Sequence, residues 1–274
     1  ILAGGIIQIN LLIDTIFASL LQTGSPTWLY VSDRLIQFPM GIFAIAIGTV
    51  LLPTLSKLDI TKEKILFSNS INKGQKFVLF IGIPSLIGLL FCAEDLISTI
   101  FYRGEFTYVD VHQSSYSLMA FSIGLPFFML MKVLTPAFFA RKDTKTPMYV
   151  ALISLFLNAC LNYFLAFVLD FGHVGIAVGS SISALVSVLI LETILYKSGF
   201  VKIKNIFSRF NFMILMSSLS LVSFLYFFTL KTSFIELNQL ERLGYLSIEV
   251  FVSIFIYLIV SRFIYGKPLQ TIFN

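Results

Sequence analysis

The sequence predicts an all-α polytopic membrane protein. Charged residues make up only 12% of its 274 positions, against about 25% in a soluble domain. Hydrophobic residues reach 57%, with a mean hydropathy of +0.93. The apolar residues also run in long blocks with short polar breaks. A transmembrane barrel would instead show brief alternating segments.

A spanning helix needs about 20 apolar residues. Eight segments qualify, at 3–22, 27–55, 77–101, 112–139, 147–169, 173–196, 210–230 and 245–265. The breaks carry turn-forming residues: Gly24-Ser25-Pro26, Arg103-Gly104, Asp143 to Pro147, Phe171-Gly172 and Lys197-Ser198-Gly199. The lysine-rich stretch 57–76 predicts a short interfacial helix. Pro39, Pro53, Pro84, Pro126 and Pro136 fall inside predicted spans, where each removes an internal hydrogen bond and can bend its helix. Two parts are expected: a six-span lobe over 1–200 and two additional spans over 201–274. Because the chain opens on Ile1, almost at once in a span, further chain is expected before it.

Lysine and arginine set the orientation. With the first span leaving the cytoplasm, the cytoplasmic segments hold Lys57, Lys62, Lys64, Lys73, Lys76, Arg141, Lys142, Lys145, Lys197, Lys202, Lys204, Arg209, Arg262 and Lys267. The outer segments hold only Arg103, Lys231 and Arg242, and collect acids: Glu94, Asp95, Glu105, Asp110, Asp170, Glu236 and Glu241. Both ends are therefore expected in the cytoplasm.

The costliest residues are the charges inside spans, which point to function by default. Asp33 and Arg34 sit side by side in the outward third of the second span, with Arg34 about 10 Å in from Thr27. Neighbours on a helix point roughly 100° apart, so Asp33 is expected to tether a neighbouring helix while Arg34 faces a cavity. A guanidinium fork suits phosphate; a structural ion pair is the alternative. Lys132 can snorkel to the cytoplasmic interface or enter the cavity. Asp14 needs a cation, a proton or a basic partner at its depth. Gln8 and Asn10 give its helix a polar side that suits interhelical hydrogen bonds. Asn158 and Asn162, four apart on one face, can ligate a hard cation such as sodium with a carboxylate, or can pack helices. Glu192 and Glu249 are expected to reach an interface, as are His112 and His173. Cys92 and Cys160 read as packing residues. No catalytic motif and no metal-ligand spacing occurs, so no enzyme activity is expected.

Several stretches together carry a family resemblance. They are Gln8-x-Asn10-Leu11-Leu12-Ile13-Asp14-Thr15, then Trp28-Leu29-Tyr30-x-x-Asp33-Arg34-Leu35-x-Gln37-x-Pro39-x-Gly41, and Gly48-Thr49-Val50-Leu51-Leu52-Pro53-x-Leu55-Ser56. Phe101-Tyr102-Arg103-Gly104-x-Phe106-Thr107, the run from Lys132 through Pro136 and Arg141 to Pro147, and Gly172-His173-Val174-Gly175 agree. The chain resembles the MurJ (MviN-type) lipid II flippases over most of 1–200, while the tail agrees only as two more spans. The resemblance implies a MOP-superfamily exporter fold, of which this chain would be the C-terminal lobe plus two helices forming a lipid-tail groove. It implies lipid II and membrane lipids as partners, together with a six-span N-terminal lobe, and no nucleic acid. The cargo would cross the bacterial inner membrane by alternating access. Arg34, Asp33 and Lys132 would bind the lipid-linked diphosphate. Asp14, Asn158 and Asn162 would correspond to a sodium site, and since position 162 is often an acid in the family, Asn162 lowers that site's charge. The alternatives are a MOP exporter of polysaccharide lipids or drugs, against which a positive cavity would count for cationic drugs, and a non-transporting membrane scaffold.

The topology is open to labelling. Cysteines placed at Lys64, Lys145 or Lys202 should resist an impermeant thiol reagent applied from outside, while cysteines at Glu105 or Glu236 should react. The reverse pattern would overturn the assignment.

Overall fold

Charges and prolines aside, the spans have one requirement in common: each backbone polar group must be satisfied without water. Helices do this internally, and the protein is built of them. The structure, a computed structural model, describes residues 2–59, 62–201, 208–229 and 237–266. Lys202, Lys204, Lys231, Glu236 and Lys267, used in the orientation argument, lie outside the described residues. Among the described residues there is no strand.

Helix α1 runs Leu2–Ser19 and α2 runs Ser25–Pro39. A π-helical stretch, Met40–Ile45, leads from Pro39 into α3, Ala46–Ser56. Helix α4 is Lys64–Phe91, and α5, Ala93–Phe101, turns away from it at Cys92. Helix α6 is Tyr108–Ala140, α7 is Lys145–Tyr163 with a second π-helical stretch at Phe164–Val168, and α8 is Gly172–Lys197. Helices α9, Arg209–Thr229, and α10, Gln239–Tyr265, complete the chain. Among the described residues seven helical segments are long and apolar enough to cross a membrane, with α2 to α3 counted as one. The eighth expected span, 3–22, coincides with α1, which is 18 residues long and is not one of the seven.

The interfacial helix expected over 57–76 is not a separate element, because α4 runs unbroken from Lys64 through that stretch into the span. Phe67, Ile71, Gly74 and Val78 fall on one helical face and are buried, so the lysines that mark this region as interfacial occupy only the other faces.

Helix α6 is the hub. It packs on α2, α3, α4, α5 and α8, and 61% of its apolar window is buried, against 22% for α10. Its start is a capping box: the Thr107 N–H donates to Asp110 at 2.7 Å and the Asp110 N–H donates back to the Thr107 hydroxyl at 3.4 Å. The other Asp110 oxygen accepts from Trp28 Nε1 at 2.7 Å, which ties α2 to α6. One turn along, the buried Ser32 hydroxyl lies 2.7 Å from the carbonyls of both Trp28 and Ser114. Where α6 crosses α8, a Cβ on Gly124 would stand 2.9 Å from Ser181 Cα, so only glycine permits that approach. Beyond the other end of α6, Asp143 accepts from the Thr146 N–H at 3.0 Å and hydroxyl at 2.7 Å, opening α7. Burial raises the Asp143 carboxyl, but the Thr146 hydrogen bonds and nearby Arg141 outweigh it and hold the group below the usual range.

Three charged or titratable residues read as interfacial make hydrogen bonds to other parts of the bundle. Glu192 accepts from Gln75 Nε2 at 2.6 Å, joining α8 to α4. Glu249 is wholly buried and accepts from the Cys92 thiol at 3.2 Å. His173 is buried, with the Ser117 hydroxyl 2.6 Å from Nδ1, Gln113 Oε1 2.9 Å from Nε2, and the Trp28 ring 4.8 Å away edge-on. Each found a polar partner on a neighbouring helix, which sequence spacing alone does not reveal. His112 lies near the N-terminal end of α6, 3.7 Å from Glu94. Arg242, assigned to an outer segment, is buried at the start of α10, 4.9 Å over the Tyr102 ring.

The prolines also have identifiable partners. Pro84 cannot donate to Phe80, four residues back. The freed Phe80 carbonyl accepts from the Tyr257 hydroxyl of α10 at 2.9 Å. In the same way Pro136 frees the carbonyl of Lys132, which points at Gly48 of α3 so closely that a Cβ there would lie 2.9 Å away. Removing the Tyr257 hydroxyl leaves a buried carbonyl without a donor. Tyr257→Phe should therefore lower unfolding stability by about 1–3 kcal/mol. A thermal melt in detergent tests this, and an unchanged midpoint would mean the contact is incidental.

Candidate functional site

Helices α1, α2, α6, α7 and α8 line an open cavity of about 780 Å³. Its charged lining residues are Asp14, Asp33 and Lys132, with Gln8, Asn10, Gln37, Asn158, Ser180, Ser183 and Ser187 among the polar ones. Gln8 and Asn10 thus face the cavity, where hydrogen bonds between helices were expected of them. Lys132 is half-buried and lines it too.

The Asp33–Arg34 pair is arranged the other way round from the sequence expectation. Asp33 lines the cavity and accepts a hydrogen bond from Gln37, one turn along its own helix, so it tethers no neighbour. Arg34 is exposed and is not among the lining residues. The cause is the 100° step between helical neighbours: α2 turns position 33 inward, and 34 then cannot follow. Arg34 does touch two lining residues, with its guanidinium 4.6 Å over the Tyr30 ring and Nη1 3.4 Å from Gln37 Oε1. It therefore sits at the rim. The lining charges alone do not make the positive cavity that was expected, so they give no ground for excluding cationic cargo.

Asp14, Asn158 and Asn162 do come together. Asn162 Nδ2 donates to Asp14 Oδ1 at 2.6 Å and to Asn158 Oδ1 at 2.9 Å, while Asn158 Nδ2 donates to Ser180 Oγ at 3.0 Å. Both asparagines are buried. This links α1, α7 and α8. Gly179 makes room for it, since a Cβ there would lie 2.4 Å from Asn162 Oδ1.

Ser180, Gly179, Gln37 and Tyr30 were not singled out for this site from sequence. A signal for one of them existed: Gly179 belongs to the series Gly175, Gly179, Ser183 and Ser187, which recurs every fourth residue as a small-residue stripe that marks a close helix contact. In the structure its first half lies against α7 and the π-helical stretch that follows it, where a Cβ on Gly175 would stand 2.8 Å from the Ala166 nitrogen. Its second half lines the cavity.

The family model described as lipid II flippase MurJ matches residues 1–260. The chain belongs to the MurJ family. The match reaches well beyond residue 200, where the motifs of the sequence resemblance end. A probable lipid II flippase MurJ from Vibrio cholerae serotype O1 is 46% identical over 192 residues, 70% of this chain and 36% of that protein. Its counterpart from Haemophilus influenzae is 42% identical over 190 residues, 67% of this chain and 37% of that one. A solved structure of lipid II flippase MurJ in an inward closed conformation superposes with a TM-score of 0.78 at 29% identity, over 97% of this chain and 53% of that one. An outward-facing multidrug resistance MATE family transporter of the MOP superfamily superposes with a TM-score of 0.64 at 17% identity, over 99% of this chain and 64% of that one. That second likeness is one of fold alone. The chain spans less than two thirds of the length of each of these proteins.

Within this MurJ-family chain the three-helix link depends on a missing side chain at 179. Gly179→Ala would press a methyl onto Asn162 Oδ1 and turn the amide off its two acceptors. Stability should fall by about 1–3 kcal/mol, read as a lower melting midpoint. No change would show that the network contributes little.

Proposed function

We propose that this chain forms one half of a lipid II flippase of the bacterial inner membrane, with the cavity as its wall of the transport path. The observation that carries this is membership of the MurJ family across residues 1–260. The geometry agrees with it in kind. A chain that only scaffolds has no use for a cavity of about 780 Å³ lined by Asp14, Asp33 and Lys132.

In this reading the diphosphate of the cargo meets the Lys132 ammonium within the cavity and the Arg34 guanidinium at its rim. Gln37 bridges the two environments, since it donates to Asp33 and accepts from Arg34 at 3.4 Å. The Tyr30 ring packs against the guanidinium, 4.6 Å from its carbon. The opposite wall of the path is the six-span lobe that longer relatives have room for, and rocking of the two lobes exposes the cavity to each side in turn. The polyprenyl tail remains in lipid beside the exposed apolar faces of α9 and α10. Both ends of the chain lie in the cytoplasm. Transport by this route makes and breaks no covalent bond, and no step passes through a metal. An exporter of another lipid-linked polysaccharide is the second reading, supported by the shared MOP fold.

Arg34 tests the proposal. It keeps its charge when desolvated and can place two parallel bonds on phosphate oxygens, whereas lysine keeps the charge without the fork. Lipid II exposure at the outer leaflet, with protein levels matched, should rank wild type over Arg34→Lys over Arg34→Ala. A lost charge-assisted bond of about 1.5–3 kcal/mol should weaken cargo binding at least about tenfold in the alanine variant. Full flipping by Arg34→Ala would remove Arg34 from the cargo path.

A further inference from the structure

The cluster of Asp14, Asn158 and Asn162 has the composition of a hard-cation site, with oxygen atoms from one carboxylate and two carboxamides. Its arrangement does not fit a cation. A cation would lie between Asp14 Oδ1 and Asn158 Oδ1, drawing both oxygens toward a common centre. That place is taken by Asn162 Nδ2, 2.6 Å from the first and 2.9 Å from the second. An amide nitrogen carries two hydrogens, and here each has its own acceptor. Asn162 Oδ1 is turned instead onto Gly179, where no side chain competes for the space, and it has no hydrogen-bond partner. Reversing the amide would put three oxygens within hydrogen-bonding distance of one another and no positive charge among them. The orientation found gives Asp14 Oδ1 and Asn158 Oδ1 a hydrogen-bond donor each. Asn158 is committed as well, because its Nδ2 donates to Ser180 Oγ at 3.0 Å, which fixes its oxygen toward Asn162.

We propose that the Asn162 carboxamide is a built-in substitute for a cation, so that the clasp of α1 onto α7 and α8 is permanently closed and does not respond to sodium. One residue sets this. An acid at position 162 would put a second carboxylate against Asp14, and two carboxylates at that distance cannot both remain charged without a cation between them. Asparagine at 162 supplies the hydrogens that the cation would otherwise replace. The consequence is regulatory: this lobe holds its shape whatever the sodium gradient, and any energy coupling enters elsewhere. The inference concerns cation binding and not cargo, so it stands or fails separately from the flippase reading.

The test measures melting of the full chain in detergent in sodium chloride, potassium chloride and choline chloride at equal ionic strength, alongside binding of radioactive sodium. The wild type should melt at the same temperature in all three salts and should bind no displaceable sodium. Asn162→Asp should gain a sodium-specific rise of about 2–4 °C or more, together with displaceable sodium binding. Asp14→Asn, which keeps an oxygen for Asn162 to donate to, should remain indifferent to sodium. Sodium stabilisation of the wild type that Asp14→Asn removes would overturn the proposal, as would an Asn162→Asp variant that folds and responds no more than the wild type. Where Asn162→Asp does not fold, the wild type and Asp14→Asn decide the matter by themselves.

Discussion

A hydrocarbon layer donates and accepts no hydrogen bonds, and the packing of this chain follows from that single deficit. Several polar side chains within the bundle find partners on other helices, and these pairs fix the helices against one another. Asp14 is met by Asn162 across α1 and α7, His173 by Ser117 and Gln113 across α8 and α6, and Glu192 by Gln75 across α8 and α4. Apolar contact alone would leave these helices free to rotate, since lipid is as good a neighbour for leucine as leucine is. Polar pairing removes that freedom and so gives the cavity a defined wall.

The same deficit separates what was legible in the sequence from what was not. Span positions come from hydropathy, a property of each segment on its own, and they were readable. The asparagines at 158 and 162 were readable as a pair because four-residue spacing puts them on one face whatever surrounds them. Burial of Glu249 was not readable, because it depends on Cys92, 157 positions away in sequence. Asp33 and Arg34 were recognised as the charged centre of α2, but which of them faces inward depends on how the whole helix is rotated, and that rotation is set by Trp28 and Ser32 docking on α6. The start of α4 was hidden by composition: its lysines mask a buried face of Phe67, Ile71 and Gly74 whose spacing was present all along.

Helix α10 shows how the tail is joined to the lobe. Arg242, Glu249 and Tyr257 recur at intervals of about two turns and meet α5, the bend at Cys92 and α4 in that order. Between them α10 offers lipid a row of large apolar side chains, Phe251, Ile254 and Phe255. The helix is therefore polar toward the protein and apolar toward the membrane, the reverse of a helix on the surface of a soluble domain.

Pro84 and Tyr257 are best seen as one inherited unit. The hydroxyl of Tyr257 has an acceptor only because Pro84, 173 positions earlier, withdrew the ordinary donor from the Phe80 carbonyl. A descendant that lost the proline would restore the ordinary donor and thereby strand the tyrosine, and one that lost the tyrosine would strand the Phe80 carbonyl. Either loss makes the other residue a liability, so the two should come and go together in lineage, and a chain carrying one without the other is expected to have found a new donor or acceptor for the group left over.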